Sequence, residues 1–243
     1  MQYIGIHHCK MPSYRDRIYL AGPMIAGTLY FVLGFLMLKI GSRINVLYDS
    51  FATPWGFLTS VLIYDGAGNV QFYVFLLSLF YLENLAIPSA LFVKRSLYSV
   101  WIVFSSAIFA NLIWFVLFGI KYHAAAIYGQ SGAVYGLWGI VLFFALYDLM
   151  FIGQVKFSKH PSAIARYFVS NQSKRKWKRV VAISFGSLVI LFTLSLIFLD
   201  PRLFLSYAPN INIFVHAYSF LIALITGIGF RSTKRGSIYL FTR

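Results

Sequence analysis

Charged side chains are scarce in this sequence. They make up 11% of its 243 residues, whereas a water-soluble domain carries about 25%. Acidic residues are the fewest, with 6 Asp and Glu against 21 Lys and Arg, and the apolar runs lack the paired carboxylates of a metal site or a proton relay. The single cysteine, Cys9, excludes an intrachain disulfide framework and a thiolate metal cluster. We therefore expect neither a metal nor a cofactor.

Hydrophobic residues make up 60% of the chain, and they are concentrated in six long runs. About 20 apolar residues span a hydrocarbon core roughly 30 Å thick, where every backbone polar group must bond internally and helices are favoured. The predicted fold is an all-α membrane protein of six transmembrane helices. The helices are expected at residues 19–40, 70–93, 98–118, 131–147, 180–199 and 212–230.

These spans form one predicted membrane domain, residues 19–230, between an N-terminal segment, 1–18, and a C-terminal tail, 231–243. Segment 1–18 lacks the continuous apolar core and cleavage site of a signal peptide, so we expect the first span to be retained. Most Lys and Arg residues lie in the two end segments, between spans two and three, or in the loop at about 150–179. Basic residues favour the cytoplasmic side, which predicts a multi-pass cell-membrane protein with both termini cytoplasmic.

The cluster of basic residues at 174–179 is the strongest local charge, and lipid headgroups and nucleic acid are the two partners that such a charge can attract. Anionic lipid headgroups attract such a cluster at about 1 kcal/mol per basic residue. Nucleic acid is not expected, because no folded binding module accompanies the cluster. The lipid bilayer is therefore the predicted partner of this loop.

Polar residues inside spans are costly and tend to mark function. The fourth span opens with G-Q-S-G-A-V-Y-G, from Gly129 to Gly136, which sets Ser131 at a helix N-terminus. With its predicted end at residue 147 this helix is short, so its start is expected below the membrane surface. Amides of a first helical turn have no intrahelical acceptor and suit a developing oxyanion. A simple N-cap serine between glycines remains an alternative.

The sixth span contains His216, which is expected in the same non-cytoplasmic half of the membrane as Ser131 and is suited to activate a serine. A histidine that merely bonds a neighbouring helix is the alternative. Small residues let helices approach closely, and they recur on both helices. They are Gly132 and Gly136 on the fourth helix and Ser219, Ala223 and Gly227 on the sixth. We expect these faces to touch where Ser131 and His216 meet.

This pattern resembles the rhomboid intramembrane serine proteases, which have six core spans and a G-x-S-G-x-x-x-G motif. Residues 129–136 match that motif in full, and Tyr135 falls where many members stack a tyrosine on the catalytic histidine. The family's His-x-x-Gly-x-x-x-Gly has Ser219 and Ala223 in place of its glycines here. The resemblance implies Ser131 as nucleophile, His216 as general base and acid, and an active site opening to the extracytoplasmic side. Transmembrane proteins are the implied substrates.

Family members often supply a His-x-x-x-Asn pair from the second span to support the oxyanion. Asn84 is the candidate Asn, 47 residues before Ser131, with Gly129 beside the nucleophile as further support. Phe80 then stands in the histidine position, and Gln71 is a possible substitute donor. Two alternatives to a protease stay open, a non-catalytic rhomboid-like protein that binds membrane clients and a small transporter or channel.

Overall fold

The computed structural model describes residues 21–41, 60–62, 66–87, 89–119, 130–170, 172–199 and 213–232. Within these ranges the chain forms α-helices and no strand. The helices are α1 Gly22–Gly41, α2 Ala67–Glu83, α3 Ser89–Trp114, α4 Ser131–Phe157, α5 Ala163–Ser170, α6 Lys176–Leu199 and α7 Ile213–Ser232. Short 3-10 turns cover Ser60–Leu62 and Asn84–Ala86, and a π-helical turn at Phe115–Gly119 extends α3.

Among the described residues, three segments are long and apolar enough to cross a membrane, namely Leu91–Leu117, Ser131–Phe157 and Lys176–Leu199. Shorter apolar helices cover Gly22–Met37 and Phe214–Gly227. Large apolar side chains also face outward, as shown by Trp101 at 72% exposure and Leu199 at 82%. Soluble proteins rarely expose apolar surface on this scale. The chain is therefore an all-α membrane protein.

Helix α4 is the centre of the bundle. It contacts α2, α3, α5, α6 and α7, and every side chain described from Gly132 to Ala145 is buried. Three glycines, Gly132, Gly136 and Gly139, let neighbouring helices approach its backbone. Because neighbouring helices surround α4, its N-terminal residue Ser131 is held in a defined position.

The fourth helix differs from its prediction, because it runs to Phe157 rather than residue 147 and has 27 residues. That length corresponds to about 40 Å. The expectation that a short fourth helix would force Ser131 below the membrane surface is therefore wrong in its premise. The prediction ended where Asp148 interrupts the apolar run, but Asp148 is buried and paired inside the bundle.

The second helix also differs, because α2 ends at Glu83 rather than continuing to residue 93. Asn84 occupies the C-cap, and its backbone N–H is bonded to the carbonyls of Leu82 and Phe80. A 3-10 turn follows and α3 begins at Ser89. The apolar residues after Glu83 continued the hydrophobic run, but Pro88 lacks a backbone donor for a continuing helix.

A buried ion pair joins α3 to α4 at the end of the bundle remote from Ser131. Arg95 Nη2 lies 2.6 Å from Asp148 Oδ1, and Arg95 Nη1 donates to Asp148 Oδ2 at 2.8 Å. The guanidinium also stacks on the Phe144 ring at 4.6 Å. From sequence, Arg95 was placed in the connection between the second and third spans, but it is buried within α3.

Candidate active site

Ser131 is the first residue of α4 and is half-buried. The carbonyl of Gln130 accepts hydrogen bonds from the amides of Ala133 at 3.1 Å and Val134 at 3.3 Å, which opens the helix. The amides of the first turn point out of the helix toward its N-terminus, where the helix dipole is positive. The Ser131 hydroxyl therefore lies beside a group of donors that favours negative charge.

His216 lies in the first turn of α7, and its ring stacks on Tyr135. The ring centroids are 4.2 Å apart and the planes differ by 5°. Tyr135 follows Ser131 by four residues, so the two share one face of α4. Helical side chains lean toward the helix N-terminus, so Tyr135 leans toward the turn of Ser131. The stack therefore brings the imidazole to the face of α4 that carries the serine.

Close packing of α4 against α7 fixes this arrangement. A Cβ atom on Gly132 would lie 3.2 Å from Val215 Cγ1 and 3.3 Å from Ser219 Oγ. On α7, Val215 directly precedes His216 and Ser219 follows it by three residues. On α4, Gly132 directly follows Ser131. The first turns of α4 and α7 are thus in direct contact, and the serine and histidine lie on neighbouring turns.

The small residues that were predicted to join α4 and α7 do not all lie between these two helices. Ala223 lies against Gly139, and Gly227 accommodates the Phe143 ring, both between α4 and α7. Gly136 instead faces α3, where a Cβ would lie 3.3 Å from the Val103 carbonyl oxygen. The helix that Gly136 approaches is therefore α3 and not the last helix.

Ser219 is fully buried and donates a long hydrogen bond, 3.4 Å, to the Ser106 carbonyl of α3. It therefore joins three helices at one level, because its side chain also meets the Gly132 position. Gly139, which the sequence analysis did not single out, lies seven residues after Gly132 on the same face. A seven-residue recurrence of glycine was the signal that could have identified it.

Asn84 is far from Ser131, so the prediction that it supports the oxyanion is wrong. Its side chain donates to the Phe80 carbonyl at 2.7 Å and accepts from Arg95 Nη1 at 2.7 Å. Arg95 holds Asp148, which follows Ser131 by 17 residues, or about 25 Å along α4. Asn84 therefore caps α2 at the opposite end of the bundle and cannot support an oxyanion at Ser131.

The residue of α2 that borders the site is Phe72, whose ring lies 6.0 Å from Tyr135 and 5.5 Å from Trp138. Phe80 packs lower in the core against Phe92 and Phe144, so it does not stand beside the serine either. Gln71 is exposed on the outer side of α2. The contribution of α2 to the site is thus aromatic.

Two buried polar side chains near the site were missed from sequence. Trp138 is fully buried, and its Nε1 donates to Thr193 Oγ1 of α6 at 2.9 Å. Gln130 is also fully buried. Neither residue type is often fully buried, and the position of Gln130 within the serine motif was the signal available. Gly129, predicted to support the oxyanion, lies outside the described residues.

Among the described residues, no group of three or more His, Cys, Asp and Glu side chains lies together. The two acidic residues in these ranges, Glu83 and Asp148, both belong to the end of the bundle remote from Ser131. The described residues bring a hydroxyl, an imidazole and helix N-terminal amides to the site.

Comparison with known proteins gives no match, whether to a family model, to a curated protein or to a solved structure.

Proposed function

We propose that this protein is an intramembrane serine endopeptidase of the rhomboid type, with Ser131 and His216 as its catalytic pair. The observation that carries the proposal is the His216–Tyr135 stack at 4.2 Å, one turn from Ser131. A nucleophile and a base on neighbouring turns, at a helix N-terminus, are the parts that acyl transfer needs. Six spans with both termini cytoplasmic are part of the same proposal.

The reaction follows from these parts. His216 takes the proton from the Ser131 hydroxyl as the oxygen attacks the substrate carbonyl, and amides of the first turn of α4 bind the resulting oxyanion. His216 then donates the proton to the leaving amine, which breaks the peptide bond and leaves an acyl-enzyme. Water, activated by the same imidazole, hydrolyses the ester and restores both groups.

Tyr135 takes over the orienting role that a carboxylate has in a triad. The dyad mechanism needs an imidazole held in one plane, and the parallel contact with the Tyr135 ring restricts rotation of that plane. Trp138 in turn contacts Tyr135 at 5.7 Å and is held by Thr193. The ring that orients the base is thus itself supported.

The proposed substrates are transmembrane segments of other membrane proteins. A peptide bond within a helix is shielded by the intrahelical hydrogen bonds of its own backbone, so cleavage favours segments that unwind easily. Small residues at the cut are the expected preference, because the half-buried Ser131 lies between closely packed helices.

A second candidate function is client binding without catalysis, and the aromatic character of α2 favours it. Phe72 occupies the α2 position beside Tyr135, so α2 offers no polar donor from that position. Loss of one oxyanion donor can cost about 10²–10³ in rate. A rhomboid-like protein that lacks this donor and binds membrane proteins is the alternative to a protease.

Labelling and cleavage by the purified protein test the two functions together. In detergent or liposomes, the parent is expected to react with a fluorophosphonate and to cut a generic transmembrane substrate. Ser131→Ala and His216→Ala are expected to lose both activities. Ser105→Ala and His160→Ala are the matched controls, because both residues are outside the site. A folded parent that neither reacts nor cuts would favour client binding.

A further inference from the structure

The side chain of Gln130 is anchored away from the helix that it opens. Its Nε2 donates to the Tyr30 carbonyl of α1 at 2.7 Å and makes a longer contact of 3.4 Å with the Leu62 carbonyl. Leu62 ends the Ser60–Leu62 turn. One amide group thus connects the start of α4 to α1 and to a turn in the segment between α1 and α2.

Helix α1 is shaped to receive this amide. Gly34 follows Tyr30 by four residues, on the same face, and a Cβ there would overlap the Gln130 amide and lie 2.6 Å from the Leu62 carbonyl oxygen. Tyr30 adds a second connection, because its hydroxyl donates to the Val61 carbonyl. Two hydrogen-bonding side chains and one glycine therefore hold the turn against α1.

The anchoring is costly for a purely structural contact. Gln130 is fully buried, and its Oε1 has no hydrogen-bond partner among the described residues. A buried polar atom left unpaired costs free energy that an apolar side chain of equal length would avoid. A Met side chain would therefore fill the same space without the free-energy cost of an unpaired buried polar atom.

The backbone of Gln130 shows what the anchoring achieves. Its carbonyl accepts the first two hydrogen bonds of α4, and Ser131 is the next residue. Fixing the side chain to α1 while the carbonyl starts α4 sets the rotation and height of the first turn. The Ser131 hydroxyl and the first-turn amides move together with that turn.

We infer that Gln130 is a positioning residue, which holds the first turn of α4 against α1 and the Ser60–Leu62 turn so that Ser131 meets His216. The inference rests on the proposed function for its effect on Ser131, but its structural part can be tested without activity. A displacement of about 1 Å at a reacting group can cost about 10²-fold in rate, so small losses of anchoring are measurable.

Gln130→Met tests the inference directly, because it keeps the side-chain length and removes both donors. We expect the rate of Ser131 labelling by a fluorophosphonate to fall at least about tenfold. In substrate cleavage, kcat should fall while KM stays within about twofold, since a displaced nucleophile affects the reacting state most. Gly34→Ala, which displaces the amide from the α1 side, should give the same split.

Asn84→Leu is the matched control, since it also removes a buried amide that donates to a backbone carbonyl at 2.7 Å. Asn84 lies at the opposite end of the bundle, so this variant should lose thermal stability with little change in labelling rate. Equal slowing of labelling by Asn84→Leu and Gln130→Met, at equal loss of stability, would overturn the inference. So would an unchanged labelling rate in Gln130→Met.

A thiol probe tests the anchor without activity. In a Cys9→Ser background, Leu62→Cys should react slowly with a maleimide, and adding Gln130→Met should raise that rate about tenfold because the turn is released. If the parent does not label with the fluorophosphonate, the proposed function fails, and the thiol rate alone decides whether Gln130 anchors the turn. No rise in the thiol rate would overturn the anchoring.

Discussion

The imidazole of His216 lies flat on the Tyr135 ring, with centroids 4.2 Å apart and planes 5° from parallel. The two residues come from helices α7 and α4, so the stack connects the elements that carry the proposed base and nucleophile. Tyr135 is itself buried at 7% exposure. A buried ring in a packed core has few alternative positions, and this fixes the plane of the imidazole.

The first prediction concerns this stack. Tyr135→Phe keeps the ring and should retain activity within about threefold, whereas Tyr135→Leu removes the stacking surface. Stacked pairs contribute about 0.5–1.5 kcal/mol, which corresponds to up to about tenfold in rate. Cleavage of a transmembrane substrate in liposomes gives kcat/KM for both variants. Equal activity of the Leu and Phe variants would show that stacking does not orient His216.

The second prediction concerns Gly139, where a Cβ would overlap the carbonyl of Phe220 in the α7 backbone. Gly139→Ala should separate α4 from α7 and destabilise the fold by about 1–3 kcal/mol. Gly153→Ala in the same helix is the control, because nothing lies within 4 Å of its position. It should stabilise the protein by about 0.5–1 kcal/mol. Thermal unfolding in detergent measures both changes, and a stable Gly139→Ala would contradict the packing.

The third prediction concerns the Arg95–Asp148 pair. Asp148→Asn removes the carboxylate that pairs with the buried Arg95 guanidinium, and breaking such a pair costs about 3–5 kcal/mol. We expect a large loss of thermal stability. The folded fraction should still label at Ser131, because the pair lies about 25 Å away along α4. Selective loss of labelling at unchanged stability would instead indicate that the two ends of α4 are functionally coupled.

The fourth prediction concerns Glu83, which is 2% exposed and has no hydrogen-bond partner for either carboxyl oxygen among the described residues. Unlike Asp148→Asn, Glu83→Met removes both carboxyl oxygens without adding another polar group that needs a hydrogen bond, and it keeps the length of the side chain. It should therefore stabilise the fold, by about 1 kcal/mol. The two variants are compared in one unfolding series at neutral pH. A destabilised Glu83→Met would mean that the carboxylate stabilises the fold through its charge interaction with the neighbouring Arg95.

The positions of the helices were accessible from sequence because long apolar runs have few other solutions in a membrane protein. Their ends were less accessible where a charge interrupts a helix or apolar residues continue beyond one. Asp148 ended the predicted fourth helix early, since nothing in the local sequence shows that Arg95 neutralises it. The second helix was predicted too long because the residues after Glu83 remain apolar.

The candidate site shows the same division. Ser131 and His216 were predicted to meet, and the described helices bring their turns together, while their catalytic roles remain a prediction. The position of Asn84 was predicted from its separation of 47 residues from Ser131. Such a separation does not determine where a residue lies along the bundle axis, because the lengths of the helices and of the segments between them also matter. Gln130 was overlooked because its partners, Tyr30 and Leu62, are distant in sequence and bond through backbone carbonyls.

The Arg95–Asp148 pair also bears on how the chain is inserted during synthesis. A charge within a spanning helix is costly to insert, and α3 and α4 each carry one of these two buried charges. Neither of these two charges has its partner until the two helices lie side by side. The two helices are therefore expected to leave the translocation channel together as a hairpin. A long insertion between them should lower the amount of correctly inserted protein, even if the molecules that do insert remain active.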